Sequence, residues 1–173
     1  EDILHRDIIA RFGIREPQAF RHLAHYLFSN VSGDMSYNSV AKALSIASPT
    51  TVRDYVGYLE QAYLAFEVFK YDFSLKKQHV SNKKAYVVDN GMRNTVAFRF
   101  PQDVGKLLEN AVFVELRRQG KQVYFYRDRR ECDFVVVDRE KVTTAYQVCY
   151  DLTAENRDRE LNGLDAALRQ FDL

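Results

Sequence analysis

Several residues in the second half of the chain have the types and spacing for metal-assisted chemistry at a phosphate. Glu109 and Glu115 fall within one amphipathic helical pattern, Asp133 sits in Glu131-Cys132-Asp133-Phe134, and Gln147-Val148-Cys149 lies in a later apolar run. Phosphodiester hydrolysis needs phosphate charge neutralised and a water activated, and carboxylates converging on a divalent cation supply both. Mg²⁺ takes hard oxygen ligands. Asp133 and the Val148 carbonyl offer two, Glu109 or Glu115 adds another, and Gln147 brings a neutral amide oxygen. The position that needs a lysine, to orient the water and stabilise charge, holds Cys149. A thiol is soft, uncharged and a poor Mg²⁺ ligand. Lys121 and Lys141 lie at strand ends and do not replace it. Glu109, Asp133, Gln147 and Cys149 therefore read as a vestigial catalytic set, with Asp133 and Glu109 as the metal-ligand candidates. No cofactor is expected in this chain, and Mg²⁺ only if the site is active.

The elements that must position these residues follow from periodicity. Asp103 to Leu116 carries a helical apolar stripe stopped by Gly120. Val123–Tyr126, Glu131–Val137 and Val142–Tyr150 read as three strands, with Asp138-Arg139-Glu140-Lys141 as a tight turn, and residues 156–171 read as the next helix. Helix, three-strand meander, helix is the front of a restriction-endonuclease-like core of the PD-(D/E)xK type, whose final parallel strand would lie beyond Leu173.

The first half is helical. Residues 2–12 form a short amphipathic helix ending at Gly13, Pro17 opens a second, and a third begins near Ser36. Ser48-Pro49 pairs an N-cap serine with a proline at the first helical position, and Val52, Tyr55, Val56, Leu59 and Tyr63 follow at helical spacing. A short helix, a tight turn and a longer helix make a helix-turn-helix. Ala65–Phe69 alternates as a strand, Lys70 to Lys84 is a basic wing, and Ala85–Val88 returns as a strand. Asp89-Asn90-Gly91 breaks the chain, and Met92–Phe98 reads as a short helix. The order is that of a winged helix. The DNA-facing candidates are Thr50, Thr51 and Arg53 at the start of the recognition helix, and Lys76, Lys77, His79, Lys83 and Lys84 on the wing. Asp54 and Glu60 oppose phosphate on the recognition helix, so one arginine gives no base readout.

Composition bounds the rest. The 173 residues suffice for one or two domains with real cores, and a net charge of +1 confines any nucleic-acid surface to local patches. No run approaches the roughly 20 apolar residues of a membrane span, and the N-terminus lacks signal-peptide character. Two cysteines without a secretory signal read as free thiols, and the expected location is the cytoplasm. The abrupt helical start and finish suggest a piece of a longer protein.

Together these pieces resemble the C-terminal region of a family of predicted prokaryotic ATPases of the AAA+ superfamily. The resemblance rests on Tyr37–Leu44, Tyr55–Leu64, Ser74–Gln78, Tyr86–Gly91, Leu107–Asn110, Glu131–Phe134 and Gln147–Tyr150 in this order, and covers nearly the whole chain. It implies a winged helix over 1–90 and an incomplete restriction-endonuclease-like domain over 91–173, an α/β (α+β) architecture. It also implies an ATPase domain before Glu1, and ATP is expected only there, since this chain has no phosphate-binding Gly-x-x-x-x-Gly-Lys-[Ser/Thr] loop. Many members carry Glu-x-Lys where this chain has Gln147-Val148-Cys149. The leading expectation is a non-catalytic DNA-binding or regulatory region of a larger ATPase. Its partners would be double-stranded DNA, its own ATPase domain, and other proteins or further copies, with no membrane. The alternatives are a Mg²⁺-dependent nuclease and a protein-interaction module.

Overall fold

The computed structural model describes residues 3–97 and 103–173. It is a mixed α+β architecture with two three-stranded sheets. The contacts divide the chain into two compact units, Glu1–Glu67 with Lys83–Arg99, and Val68–Asn82 with Phe100–Leu173. The sequence reading kept all of 1–90 together; the segment between β2 (Ala65–Phe69) and β3 (Lys83–Val87) instead groups with the second unit.

The first unit opens with π-helical turns over Ile3–Ile9 and one turn of α-helix, α1 (Ala10–Phe12), closed by Gly13 at φ +59°. The expected helix over 2–12 is thus wound mostly as a π-helix, and Asp2 lies outside the described residues. α2 (Pro17–Ser29) buries Phe20, Leu23, Ala24, Leu27 and Phe28. A two-residue strand, β1 (Asp34–Met35), leads to α3 (Tyr37–Leu44), where Ser36 and Ser39 cap each other's backbone N–H groups. Ser45 ends α3 in the left-handed region at φ +54°. α4 (Pro49–Gln61) starts from Ser48, whose hydroxyl accepts the Thr51 N–H at 3.1 Å, and buries Val52, Tyr55, Val56 and Leu59. Tyr55 meets Phe20 edge to face at 5.3 Å, tying α4 to α2. The sheet order is β1-β3-β2, with β1 antiparallel to β3. α6 (Asn90–Val96) begins two residues before the expected Met92, because the Asp89 carboxylate caps the Met92 N–H at 2.7 Å. Phe98, the expected end of this helix, lies outside the described residues.

The second unit is built on the sheet β4 (Gln122–Arg127), β5 (Glu131–Asp138), β6 (Lys141–Tyr146), antiparallel in that order. α7 (Val104–Arg118) buries Phe113 and Leu116, and Phe113 stacks near Phe134 of β5 at 6.3 Å. Arg139 and Glu140, at φ +48° and +70°, make the two-residue hairpin between Asp138 and Lys141. α8 (Arg157–Phe171) follows and packs on this sheet. Gly163 makes that packing possible: a Cβ there would stand 2.0 Å from the Glu131 carbonyl oxygen. The expected wing is not a plain loop. Lys70 bridges Phe125 in parallel, the Tyr71 N–H donates to the Phe125 carbonyl at 2.7 Å, and α5 (Leu75–Val80) fills the rest. The Tyr71 ring lies edge-on to Tyr124 and Phe171.

Candidate functional site

Asp133 and the Gln147–Cys149 segment meet where β5 and β6 part, while Glu109 and Glu115 stand on α7. The last paired residues are Phe134 and Tyr146, so Gln147-Val148-Cys149 continues past β6 rather than within it, correcting the strand expected to run to Tyr150. The physical reason is a side chain. Asp133, buried at 7 % exposure, accepts the Val148 N–H on Oδ2 at 2.8 Å, so that donor is spent on a carboxylate instead of a strand ladder.

Gln147 turns its amide toward α8, where its Nε2 donates to Glu160 Oε2 at 2.7 Å. Glu160 is buried at 8 % exposure and also accepts from Arg159, whose Nε lies 3.0 Å from Oε1. That hydrogen bond, with the charges of Glu160, Cys149 and Asp133 nearby, raises the Arg159 pKa above its ordinary value. Arg159 thus brings positive charge close to Asp133 and Cys149. Sequence reasoning missed Arg159 and Glu160. The signal was present: Glu160, Gly163, Leu164, Ala167 and Phe171 form one helical stripe, and a carboxylate on a stripe that packs on a sheet needs a partner. The Gln147 Oε1 is buried and has no hydrogen-bond partner among the described residues.

Cys149 donates its thiol to the Asp151 carbonyl at 3.2 Å, and Asn156 Nδ2 approaches the sulfur at 3.8 Å. Cys132 is fully buried and its thiol points to the Phe134 and Tyr146 carbonyls. Burial, then the Asp133 charge, pushes that thiol up to about 12. Glu115 is half-buried and engaged by Arg118 at 2.7 Å, which with Gln119 holds its carboxyl down at about 2. Glu109 sits half-buried on α7. Among the described residues, no group of three or more His, Cys, Asp or Glu is arranged to hold a metal ion. This donor set does not fit a resident Mg²⁺, because Cys149 contributes a soft thiol, Asp133 Oδ2 is engaged by the Val148 N–H, and Glu160 is already balanced by Arg159.

The DNA-facing candidates separate into two groups. Thr50 and Arg53 are exposed on α4, but Arg53 pairs with Asp54 at 3.2 Å, and the Thr51 hydroxyl shares a hydrogen bond with Ser48. Lys76, Lys77 and His79 are exposed on α5, with His79 edge-on to Phe69. Lys83 and Lys84 do not belong with them. Both are 3 % exposed within β3, and the Lys83 ammonium lies over the Tyr37 ring at 4.8 Å. Desolvation lowers the Lys83 pKa, with Glu67 opposing the shift. The Tyr37 hydroxyl donates to Glu67 at 2.7 Å, so these lysines serve the interior rather than a phosphate surface.

Comparison with known proteins agrees with a two-part chain. The chain belongs to the family described as "Domain of unknown function (DUF8612)", whose model matches residues 1–103. A second model, "Domain of unknown function (DUF4143)", matches residues 104–172. The chain is 32 % identical to Uncharacterized protein MJ1544 of Methanocaldococcus jannaschii over 182 aligned residues, covering 100 % of this chain and 40 % of that protein. An uncharacterized protein of Haemophilus influenzae is 28 % identical over 157 residues, covering 88 % of this chain and 39 % of its own length. The chain therefore spans about two fifths of these relatives. No solved structure matches it. Among the described residues no helix is long and apolar enough to cross a membrane.

Proposed function

We propose that this chain is a non-catalytic, regulatory C-terminal region of a larger AAA+ ATPase. In this reading the wing segment, which groups with the second unit, touches DNA backbone through α5, and that nuclease-like unit carries an Arg159–Glu160 ion pair in place of metal chemistry. The observation that carries the non-catalytic part is the thiol of Cys149 at the lysine position, beside an Asp133 whose Oδ2 accepts the Val148 N–H and a Glu160 already paired with Arg159. The winged-helix reading draws support from the order α2, β1, α3, α4, β2, β3 and the sheet order β1-β3-β2. The ATPase parent draws support from the sequence resemblance and from the greater length of the relatives.

The DNA contact rests on Lys76, Lys77 and His79, which stand exposed together on α5. Such contacts neutralise phosphates and release counterions, so affinity must fall with salt. Fluorescence anisotropy of a labelled random duplex across a salt series tests this. Binding should weaken steeply with salt, and Lys76→Ala/Lys77→Ala should reduce the log–log slope by about two. Absence of binding at low salt would remove the DNA reading.

A further inference from the structure

The stretch after the vestigial motif is an ordered surface loop with nothing covering it. Residues 150–155 are all exposed, Tyr150 at 70 % and Leu152 at 53 %, and Asp151 and Glu155 are its only charged residues. Polar ties hold it in shape. Asn156 Nδ2 donates to the Asp151 carbonyl at 2.8 Å, the Thr153 N–H donates to Asn156 Oδ1 at 2.9 Å, and the Cys149 thiol donates to the same Asp151 carbonyl. The residues that follow the old catalytic position thus fix a loop whose two large apolar side chains return nothing to the core. A rigid loop that exposes aromatic and aliphatic groups has met its ordering cost before any partner arrives.

The same unit carries a surface of opposite charge. Phe73, Leu75 and Val80 are 76 %, 71 % and 74 % exposed on and beside α5, and Lys76 and Lys77 stand among them. Lys76, Lys77, Asp151 and Glu155 form no ion pair among the described residues. One face is apolar and basic, the other apolar and acidic, and both stand exposed.

From this complementarity we infer that copies of this chain associate head to tail, with the 150–155 loop of one docking on α5 of the next. A contact between two different patches is heterologous, so it builds rings or open chains rather than a closed pair. The surfaces are small, which makes the contact weak and concentration-dependent. The lysines would then be shared between this contact and the proposed DNA contact, although the inference stands on the two faces alone.

Sedimentation velocity of the full chain, without nucleic acid, decides it. Wild-type protein should associate with rising concentration and dissociate with added salt. Lys76→Glu/Lys77→Glu makes both faces acidic, and Asp151→Lys/Glu155→Lys makes both basic, so each variant alone should stay monomeric. Mixing the two restores opposite charges at every junction and should restore assembly. These side chains are exposed, and circular dichroism of each variant verifies the fold. A wild type that stays monomeric at low salt and high concentration overturns the inference. So does a mixture that fails to assemble, or variants that assemble alone like the wild type. Because no DNA is present, such a failure leaves the DNA reading standing.

Discussion

Replacing Gly163 by alanine should damage the second unit, even though alanine is the better helix former. In an open helix interior the exchange stabilises by up to about 1 kcal/mol. At Gly163 the added Cβ would lie 2.0 Å from the Glu131 carbonyl oxygen and 3.0 Å from its carbon. That is about 1.4 Å inside the 3.4 Å at which ordinary contact begins, and the obstacle is backbone, which cannot rotate away. α8 must move off β5, and the Gln147–Glu160 hydrogen bond on the same face moves with it, since Gln147 Oε1 would lie 3.3 Å from the new methyl. Overpacking of this kind costs about 1–3 kcal/mol, and backbone obstruction puts this site at the upper end. Gly57 in α4 is the control, because a Cβ there meets nothing within 4 Å. Gly57→Ala should stabilise by about 0.5–1 kcal/mol. Urea unfolding followed by far-UV circular dichroism, with amide exchange in β5 as the local reporter, reads both. If Gly163→Ala is as stable as wild type or more so, the packing of α8 described above is wrong.

Further consequences can be measured in the same preparations. Thiol titration with an aromatic disulfide should modify Cys149 in the folded protein and reach Cys132 only on unfolding, because Cys132 is fully buried and its thiol is pushed up to about 12; rapid modification of both would contradict this. Glu140→Gly should stabilise by about 1 kcal/mol and so raise the urea midpoint, since Glu140 is held at φ +70° where glycine is unstrained; an unchanged or lower midpoint would count against the hairpin. Burial raises the Glu67 pKa against the opposing pull of Tyr37 and Lys83. The folded state therefore binds its proton more tightly than the unfolded state, so its contribution is complete below about 4.5 and is lost as pH rises through the folded value. Glu67→Gln should flatten that decline in stability between acid and neutral pH, and an identical slope in both proteins would refute the assignment.

What the sequence revealed follows from how local each cause is. Ser36 and Ser48-Pro49 announced α3 and α4 because capping is settled within four residues, and the Val52-Tyr55-Val56-Leu59 stripe named its own buried face. The candidate site was half legible. The motif Glu131-Cys132-Asp133 and the missing lysine at 149 could be read, but the end of β6 could not, because it depends on Asp133 capturing a backbone donor fifteen residues away. Arg159 and Glu160 were not singled out, although Glu160 stood on the buried stripe of α8. The wing misled for the opposite reason. A run of lysines looks like one surface, yet β3 is buried along its whole length, so Lys83, over the Tyr37 ring, and Lys84 are interior, while Lys76 and Lys77 stayed exposed on α5.

The most direct test of the central claim is incubation of the chain with supercoiled plasmid in the presence of Mg²⁺, beside a matched Asp133→Ala protein, with calorimetric titration of Mg²⁺ into both. A unit with Cys149 in place of the lysine and Glu160 paired with Arg159 should leave the plasmid intact and bind no Mg²⁺ at stoichiometric levels. Mg²⁺-dependent nicking by the wild type that disappears in Asp133→Ala would contradict the account and return this unit to the nucleases.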